Sequence, residues 1–336
     1  MIRMLHIARR QPRWDLWSDA FCQALREIGE FTILTDGEAM SQSELAERIR
    51  GCDVLLTGWS SITIPSKIAR DPGSLRYICN VTGSCQPGVP IEIIDSPIPV
   101  TNWGDAPAGP VAEGAVVLLL ACLKKLPQRQ RLIEAGEYRT PQGFRSHTLR
   151  DLNLGLYGCG VIGAKFVEMV RPFEPVIRVY DPYVDRLPDG CIRVQSLREL
   201  FETSEAVVLH AGLCDETRGT VTAELLALLP DDGVIVNTAR GGIIDQDALL
   251  AELESGRLWA GLDVLEPDTL APDHPARRWP NVIITGHCIS NGRPIRQDGA
   301  GRLRLMHQYA LDNIRRHLAG EPLRFIMDRT RYLRST

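Results

Sequence analysis

Residues 152–181 read LNLGLYGCGVIGAKFVEMVRPFEPVIRVYD, and the order of residue types in this stretch predicts a βαβ unit. An apolar run leads into three glycines, and the apolar residues that follow have helical spacing. A second β-branched run, 176–180, ends at Asp181, eighteen residues after Gly163. An acid at this distance from a Gly-X-Gly-X-X-Gly turn is typical of a dinucleotide-binding domain, although glycine turns also close ordinary βα units.

The three glycines have separate predicted roles. Gly158 allows a tight turn, Gly160 lets a pyrophosphate approach the backbone, and Gly163 lets the helix pack closely on the strand. The anion would lie on unpaired amides at the positive end of the helix. Asp181 would bind the ribose hydroxyls and repel a 2′-phosphate, and the residue after it is Pro182, not arginine. We therefore predict NAD in preference to NADP.

Length and composition fit a globular protein with two domains. The chain has 336 residues, of which 44% are hydrophobic and 24% are charged. A formal net charge of −4 gives no electrostatic reason to expect nucleic acid or an anionic membrane as a partner. We expect the partners to be small molecules.

The cysteines and the apolar runs indicate whether the chain has a metal site, a disulfide framework or a membrane segment. Nine cysteines are scattered without a Cys-X-X-Cys pair, which favours neither a metal site nor a disulfide framework. The N-terminal apolar segment is too short for a signal peptide and is typical of a first strand. The longest apolar run, 115–123, is about half the length that a bilayer requires. These features predict a cytoplasmic protein.

Short β-rich runs alternate with helical segments along most of the chain. In the first hundred residues this alternation predicts a parallel sheet that is independent of the later one. Between residues 96 and 110, four prolines and two glycines break the pattern, so we place a domain crossing there. The predicted β-rich runs are 4–8, 31–34, 54–57, 77–81, 207–210, 234–237, 258–263 and 282–285, and a long final helix is predicted from Ile295 to about Leu318, with Gly320 as its stop.

A strongly apolar helix is predicted from Glu113 to Leu126. One side of a single sheet could not cover so apolar a helix, so it could also meet a second subunit. Burial within one subunit is an equally good explanation.

Ionisable side chains follow three predicted strands in the second half of the chain, where ligands of an open parallel sheet bind. His287 could take the hydroxyl proton of a secondary alcohol as hydride leaves the carbon. A carboxylate beside it, for which Glu266 is the candidate, would favour the imidazolium and hold one tautomer. Arg240 could bind a substrate carboxylate through two parallel hydrogen bonds. Each of these residues alone could equally be an ordinary loop residue, so the prediction rests on their joint arrangement.

Several motifs in residues 152–292 resemble, in order and spacing, those of the NAD-dependent D-isomer-specific 2-hydroxyacid dehydrogenases, which include phosphoglycerate, glyoxylate and hydroxypyruvate dehydrogenases. These motifs are YGCGVIG, VYDPY, LHAGLCDETRG, NTARGGIIDQDALL, GLDVLEP and PNVIITGH. A weaker resemblance covers LLTGW, RYICNVTGS, VTNWGD and VAEGAVVLLLA, so that nearly the whole chain is included.

The resemblance implies an α/β fold of two Rossmann/flavodoxin-like domains with parallel sheets and a cleft between them. The substrate-binding domain would be discontinuous, 1–101 plus 297–336, and 102–296 would form the dinucleotide-binding Rossmann domain. The resemblance also implies a homodimer.

The implied reaction is hydride transfer between NAD(H) and a small D-2-hydroxy acid or 2-oxo acid. His287 would be the acid/base paired to Glu266, Arg240 would bind the substrate carboxylate, and the backbone amides of Thr82-Gly83-Ser84 would receive it as well. The residues implied to bind the cofactor are Gly158, Gly160, Val161, Ile162, Gly163, Asp181, His210, Thr217, Thr238 and Asp263.

Two segments depart from the family pattern. Gly286 precedes His287 where proline is common, and Cys288 to Asn291 follow where small residues are common. The substrate loop lacks the usual arginine and aspartate, which disfavours phosphoglycerate as the substrate. The main alternative is an NAD(H)-sensing, corepressor-like protein on the same scaffold without significant turnover. A methyltransferase lacks support from the later motifs, and phosphite oxidation is a minor alternative.

Overall fold

The computed structural model describes residues 1–11, 16–86, 88–291 and 303–334. The chain divides into two compact units, Met1–Ala106 with Arg293–Thr336, and Pro107–Gly292. The predicted domain boundaries at 101/102 and 296/297 stay predictions, and the second of them lies outside the described residues.

Twelve strands lie in the described part of the chain. They are β1 Arg3–Ile7, β2 Glu30–Leu34, β3 Val54–Thr57, β4 Tyr77–Asn80, β5 Val100–Thr101, β6 Asn153–Tyr157, β7 Val176–Tyr180, β8 Ile192–Arg193, β9 Ala206–Leu209, β10 Val234–Asn237, β11 Trp259–Leu262 and β12 Val282–Ile284. The predicted runs correspond to ten of them, and the two-residue strands β5 and β8 are the additions.

The α-helices pack on the faces of these strands. They are α1 Asp19–Ile28, α2 Gln42–Arg50, α3 Ile91–Ile94, α4 Ala108–Leu123, α5 Leu126–Glu134, α6 Val161–Val170, α7 Leu197–Glu202, α8 Ala223–Leu226, α9 Gln246–Glu254, α10 Leu305–Ala319 and α11 Arg329–Arg334. Short 3₁₀ turns lie at Gly37–Ala39, Ser66–Ala69, Arg171–Phe173, Gly241–Ile243 and Pro275–Arg278.

The first unit has a five-stranded sheet in the order β2-β1-β3-β4-β5, and every pairing in it is parallel. The chain moves outward from β1 to β2 and then returns to the other side of β1 with β3. The strand order therefore reverses between β1 and β3, and loops diverge there at the carboxyl edge of the sheet.

The second unit has a seven-stranded parallel sheet in the order β12-β11-β10-β9-β6-β7-β8. The order reverses between β6 and β9, so the glycine turn after β6 and the residues after β9 lie at the switch point. The predicted α/β class with two parallel sheets is confirmed.

Helix α4 begins earlier than predicted, before Pro110. The prolines near residue 107 were interpreted as breaking regular structure, but a helix tolerates proline in its first turn because those amides have no partner within the helix. The helix ends at Leu123, and Lys125 adopts the left-handed conformation with φ +50°. Leu118 and most other apolar residues of α4 are buried, whereas Val117 is 51% exposed. Burial within one subunit thus accounts for most of the helix, and the homodimer stays a prediction.

The C-terminal helix α10 begins at Leu305, and residues 295–302 of the predicted helix lie outside the described residues. Gly320 ends it with φ +68°, as predicted, and donates its amide to the carbonyls of the last turn. Buried α10 residues such as Ile314 pack in the core of the first unit. The chain therefore returns to the first unit at its end.

Candidate functional site

The glycine turn after β6 has the geometry of an anion-binding turn. Gly158 has φ +90°, and a Cβ there would lie 2.5 Å from the amide nitrogen of Ala211. A Cβ on Gly163 would lie 2.5 Å from the carbonyl oxygen of Gly158, so glycine lets α6 pack on the turn. Gly160 caps α6 without a side-chain hydrogen bond, and no atom lies within 4 Å of its missing Cβ. The helix N-terminus is therefore open to a ligand.

The carboxylate of Asp181 is buried and holds the turn in place. Its Oδ2 accepts a hydrogen bond from the amide of Cys159 at 2.7 Å. Its Oδ1 accepts from the amides of Tyr183 at 2.9 Å and Val184 at 3.2 Å. Each carboxylate oxygen has further lone pairs, so ribose hydroxyls could still bind. The prediction assigned Asp181 only to the ribose, and the structure adds a role in fixing the glycine turn.

Two side chains that follow β9 and β10 have buried polar atoms without a hydrogen-bond partner in the described part of the chain. Both ring nitrogens of His210, just after β9, are unpaired, as is the hydroxyl of Thr238 after β10. Burial lowers the pKa of His210 to about 3, so the imidazole is neutral. Unpaired buried groups are costly unless a ligand or water completes them, and these two lie where the predicted cofactor would bind.

The remaining predicted cofactor residues differ in their exposure and in their hydrogen bonds. Val161 is exposed at the start of α6, while Ile162 packs partly against the core. The Thr217 hydroxyl donates to the carbonyl of Gly212 at 2.7 Å and accepts from the amide of Cys214 at 2.8 Å, so it closes its own loop. The open helix end, the acid and the unpaired side chains together fit a dinucleotide, with Thr217 in a supporting position.

Asp263 follows β11 and organises the loop that carries His287. Its Oδ1 accepts from the hydroxyl of Thr285 at 2.5 Å and from the amides of Cys288 and Ile289 at 2.9 and 3.0 Å. The amide of His287 donates to the carbonyl of Asp263 at 2.5 Å. These bonds hold the histidine in the left-handed conformation, with φ +60°.

In the structure, the carboxylate that lies beside the imidazole of His287 is that of Asp268, and the catalytic role predicted for Glu266 stays a prediction. His287 Nδ1 lies 2.6 Å from Asp268 Oδ2, while Oδ1 of the same carboxylate accepts from the amide of Leu265 at 3.3 Å. Glu266 is exposed, its amide donates to the side chain of Gln246, and within the described residues no hydrogen bond joins its carboxylate to His287. The loop turns back after Glu266, which brings the next acid to the imidazole.

Arg240 follows β10 and lies beside the same acid. Burial lowers the pKa of its guanidinium, and the charge of Asp268 opposes that shift. Its Nη1 donates to the carbonyl of Ala239 at 2.7 Å. A Cβ on Gly241 would lie 2.1 Å from the carbonyl carbon of Leu265, so only glycine lets the two loops pack this closely. The ends of β10, β11 and β12 thus bring an arginine, a carboxylate and an imidazole together.

In the first unit, the side chain of Asn80 forms hydrogen bonds with backbone carbonyls of the predicted substrate loop. Its Nδ2 lies 3.0 Å from the carbonyl oxygen of Thr82 and 3.2 Å from that of Ser84. The side chain of Asn102 binds the carbonyl of Gly83 at 2.9 Å. Because N–H and C=O point in opposite directions across a trans peptide, the amides that follow these carbonyls face away from Asn80. The role of the loop in substrate binding stays a prediction.

Asp268 was not among the residues predicted for the site. The loop contains three acids, Asp263, Glu266 and Asp268, and the Glu-Pro pair favoured the middle one. Which acid faces the histidine depends on the path of the loop, and the residue pattern alone does not give that path.

Comparison with known proteins gives the family. The model described as D-isomer specific 2-hydroxyacid dehydrogenase, NAD binding domain, matches residues 116–288. The chain belongs to this family. The resemblance found in the sequence and the prediction of a nicotinamide cofactor are thereby confirmed.

Two curated members of the family show the range of similarity. Hydroxypyruvate reductase of Thermotoga maritima is 31% identical over 261 residues, which are 74% of this chain and 82% of that protein. D-3-phosphoglycerate dehydrogenase of Methanocaldococcus jannaschii is 32% identical over 273 residues, or 78% of this chain. This chain spans 50% of the length of that second relative.

Solved structures share the fold across nearly the whole chain. An acyclic imino acid reductase (Bsp5) in complex with NADPH and D-Arg has a TM-score of 0.75 and 26% identity, covering 97% of this chain and all of that one. D-2-hydroxyisocaproate dehydrogenase has a TM-score of 0.76 with 19% identity, covering 97% of this chain and 99% of that one. The second similarity concerns the fold alone.

Among the described residues, no group of three or more His, Cys, Asp or Glu side chains is placed to hold a metal ion. No helix in that part of the chain is both long and apolar enough to cross a membrane. The nine cysteines are free, and burial raises the pKa of Cys122 to about 12.

Proposed function

We propose that this family member is an NAD-dependent dehydrogenase that interconverts a small D-2-hydroxy acid and its 2-oxo acid. The observation that carries the proposal is the convergence of Arg240, Asp268 and His287 at the carboxyl ends of three adjacent strands. These are the charges that the reaction needs: a cation for a carboxylate and a proton carrier for an alcohol.

His287 is the proposed acid/base. Asp268 engages Nδ1 at 2.6 Å, so Nε2 is the nitrogen that faces the substrate oxygen. When bound, the nicotinamide supplies or accepts the hydride at C2 of the substrate. In the reductive direction Nε2 gives its proton to the carbonyl oxygen, and in the oxidative direction it takes the hydroxyl proton. Asp268 keeps the ring in one tautomer and balances the imidazolium charge.

Arg240 is the proposed carboxylate-binding group. A guanidinium presents donors in a planar fork that matches a carboxylate. Its burial lowers its pKa, which shows that desolvation disfavours the charged form at this position. A bound anion would restore the lost solvation, so the site favours a negatively charged substrate.

NAD is the proposed cofactor form. Asp181 would face the ribose with its charge, which repels a 2′-phosphate. Arg193 lies near this loop, but its guanidinium donates to the carbonyls of Asp181, Val184 and Asp185 at 2.6–3.2 Å. With its donors used in this way, Arg193 supports the loop and is poorly placed to bind a phosphate.

A paired set of variants tests the proposed site. NADH consumption is followed with glyoxylate, hydroxypyruvate, pyruvate and phenylpyruvate, and NADH binding is measured separately by fluorescence. His287→Ala and Asp268→Asn are expected to lower kcat by roughly 10²–10⁴-fold while NADH still binds. Glu266→Gln is the matched control from the same loop and is expected to change kcat by less than about threefold.

The outcomes separate the competing explanations. Equal losses in Glu266→Gln and Asp268→Asn would remove the special role of Asp268. Full turnover by His287→Ala would remove His287 from the mechanism. Unaltered NADH binding with no turnover of any acid in a broad panel would refute the dehydrogenase and favour a sensing protein.

A further inference from the structure

The C-terminal segment of the first unit is fixed beside the predicted substrate loop, residues 82–84. An antiparallel bridge joins Ile326 to Thr101 of β5. In the helix α11 that follows, Tyr332 is buried in the core of the first unit, and its hydroxyl donates to the carbonyl of Val89 at 2.7 Å. The backbone of this segment therefore has a defined position relative to the sheet of the first unit.

A chain of two hydrogen bonds joins α11 to the predicted substrate loop. Arg331 donates from Nη2 to Oδ1 of Asn102 at 3.0 Å. Asn102 in turn donates from Nδ2 to the carbonyl of Gly83 at 2.9 Å. A second contact, from Nε2 of Gln86 to the carbonyl of Tyr332 at 2.8 Å, joins the helix to the residues just after the loop. The helix and the loop are thus coupled through side chains of one unit.

Arg331 fixes the orientation of the Asn102 side chain. A guanidinium has no acceptor, so the atom of Asn102 that faces it must be the oxygen. That oxygen also accepts from the amide of Gly104 at 3.1 Å, and Nδ2 is directed at Gly83. Asn102 is only 7% exposed, so water cannot easily replace the charge-assisted hydrogen bond from Arg331. Loss of Arg331 would remove one of the two donors that orient Asn102, and the bond to Gly83 depends on that orientation.

The predicted substrate loop also packs closely on Trp103, the residue after Asn102. A Cβ on Gly83 would lie 2.6 Å from the indole ring, and the amide of Trp103 donates to the carbonyl of Thr82 at 3.2 Å. Because Asn102 and Trp103 are neighbours in the chain, a shift of Asn102 would disturb both contacts with the loop. The backbone of residues 82–84 is therefore sensitive to the side chain that anchors Asn102.

We propose that Arg331 is a positioning residue for the predicted substrate loop: through Asn102, it holds the backbone amides of residues 82–84 in place to bind a substrate carboxylate. The proposal rests on the proposed dehydrogenase function and adds to it a residue that sets substrate affinity. The charge of a carboxylate does not change during hydride transfer, so the loop would bind it equally well in the ground state and in the transition state. Loss of such binding raises KM and leaves kcat nearly unchanged.

Arg329 provides a matched control in the same helix. It is also an arginine of α11, and it pairs with Asp95, the residue that ends α3. The side chains of this pair are 60% and 43% exposed, and an exposed ion pair contributes little to stability. Removing Arg329 therefore takes one guanidinium from α11 and leaves the contact between Arg331 and Asn102 intact.

The experiment compares Arg331→Ala, Arg329→Ala and wild type as full-length proteins. Values of kcat and KM are measured with NADH and with whichever of glyoxylate, hydroxypyruvate, pyruvate and phenylpyruvate the wild type reduces with the highest kcat/KM. Arg331→Ala is expected to raise KM for that acid roughly tenfold while kcat changes less than about threefold. Arg329→Ala is expected to change KM less than about twofold. Asn102→Ala is expected to have the same KM with and without Arg331→Ala, because Arg331 acts through Asn102.

Hydrogen–deuterium exchange of residues 80–86 measures the order of the loop independently of turnover. Exchange is expected to be roughly tenfold faster in Arg331→Ala than in wild type or Arg329→Ala. Equal exchange in all three proteins would overturn the proposal, and so would additive effects of Asn102→Ala and Arg331→Ala on KM, or an effect of Arg331→Ala on kcat alone. If the wild type reduces none of the acids, the dehydrogenase function fails, and the exchange result by itself then decides whether Arg331 positions the loop.

Discussion

Acidification should destabilise the first unit through His6, a residue of β1. The imidazole is fully buried, it stacks on Trp17 with ring centroids 4.0 Å apart, and its Nδ1 lies 3.1 Å from the carbonyl oxygen of Leu56. Nε2 has no hydrogen-bond partner among the described residues. Burial therefore lowers the pKa of His6 from 6.5 to about 4.

The pKa values give the sign and size of the effect. The folded state binds the proton less tightly than the unfolded chain, so the contribution is fully present above pH 6.5 and is lost as the pH falls towards 4. A difference of about 2.5 pKa units corresponds to roughly 3.4 kcal/mol once His6 is protonated in both the folded and the unfolded chain, below pH 4. At pH 5 the expected loss in the free energy of unfolding is about 2 kcal/mol.

Urea unfolding at pH 7 and pH 5, followed by tryptophan fluorescence and circular dichroism, measures this loss. His6→Asn retains a donor for the carbonyl of Leu56 but does not titrate in this range. The cavity left by the smaller side chain should lower the free energy of unfolding by a similar amount at both pH values. The comparison therefore uses the change in that free energy between pH 7 and pH 5. The variant is expected to lose about 2 kcal/mol less than wild type between pH 7 and pH 5. An identical pH dependence in both proteins would show that His6 does not resist protonation.

Two further predictions concern the second unit. Gly158→Ala places a Cβ 2.5 Å from the amide nitrogen of Ala211 in a backbone with φ +90°. We therefore expect the affinity for NADH, measured by fluorescence titration, to fall at least about tenfold. Unchanged affinity would show that the turn relaxes at little cost. Asp263→Ala removes the acceptor of the amides of Cys288 and Ile289, so we expect roughly a tenfold or greater loss of kcat with NADH binding less affected. A loss confined to NADH affinity would instead assign Asp263 to the cofactor alone.

The sheets and the glycine turn could be predicted from the sequence because their signals are local. Buried parallel strands leave continuous apolar runs, and the turn requires glycine at fixed spacing. Gly158, Gly163 and Gly320 all have the predicted type of geometry. The start of α4 was missed because proline has opposite effects in the first turn of a helix and in its interior.

The choice of acid could not be predicted from the sequence because it depends on tertiary structure. Glu266 and Asp268 differ by two positions in one loop, and both are plausible partners of a histidine. Gly241 packs closely against the backbone of Leu265, and that contact joins segments about 25 residues apart. The support of the predicted substrate loop by Asn80 was missed for a similar reason, since an amide after a strand gives no indication of which carbonyls it binds.

The hydrogen bonds of Asp181 limit how the cofactor preference of this protein could be engineered. Replacing an acid at this position with a neutral or basic residue is an obvious route towards accepting NADP. Here the same carboxylate also accepts the amides of Cys159, Tyr183 and Val184. A single substitution would therefore loosen the glycine turn while it removes the repulsion that we propose between Asp181 and a 2′-phosphate. A successful redesign would need a second change that supplies new acceptors for those amides.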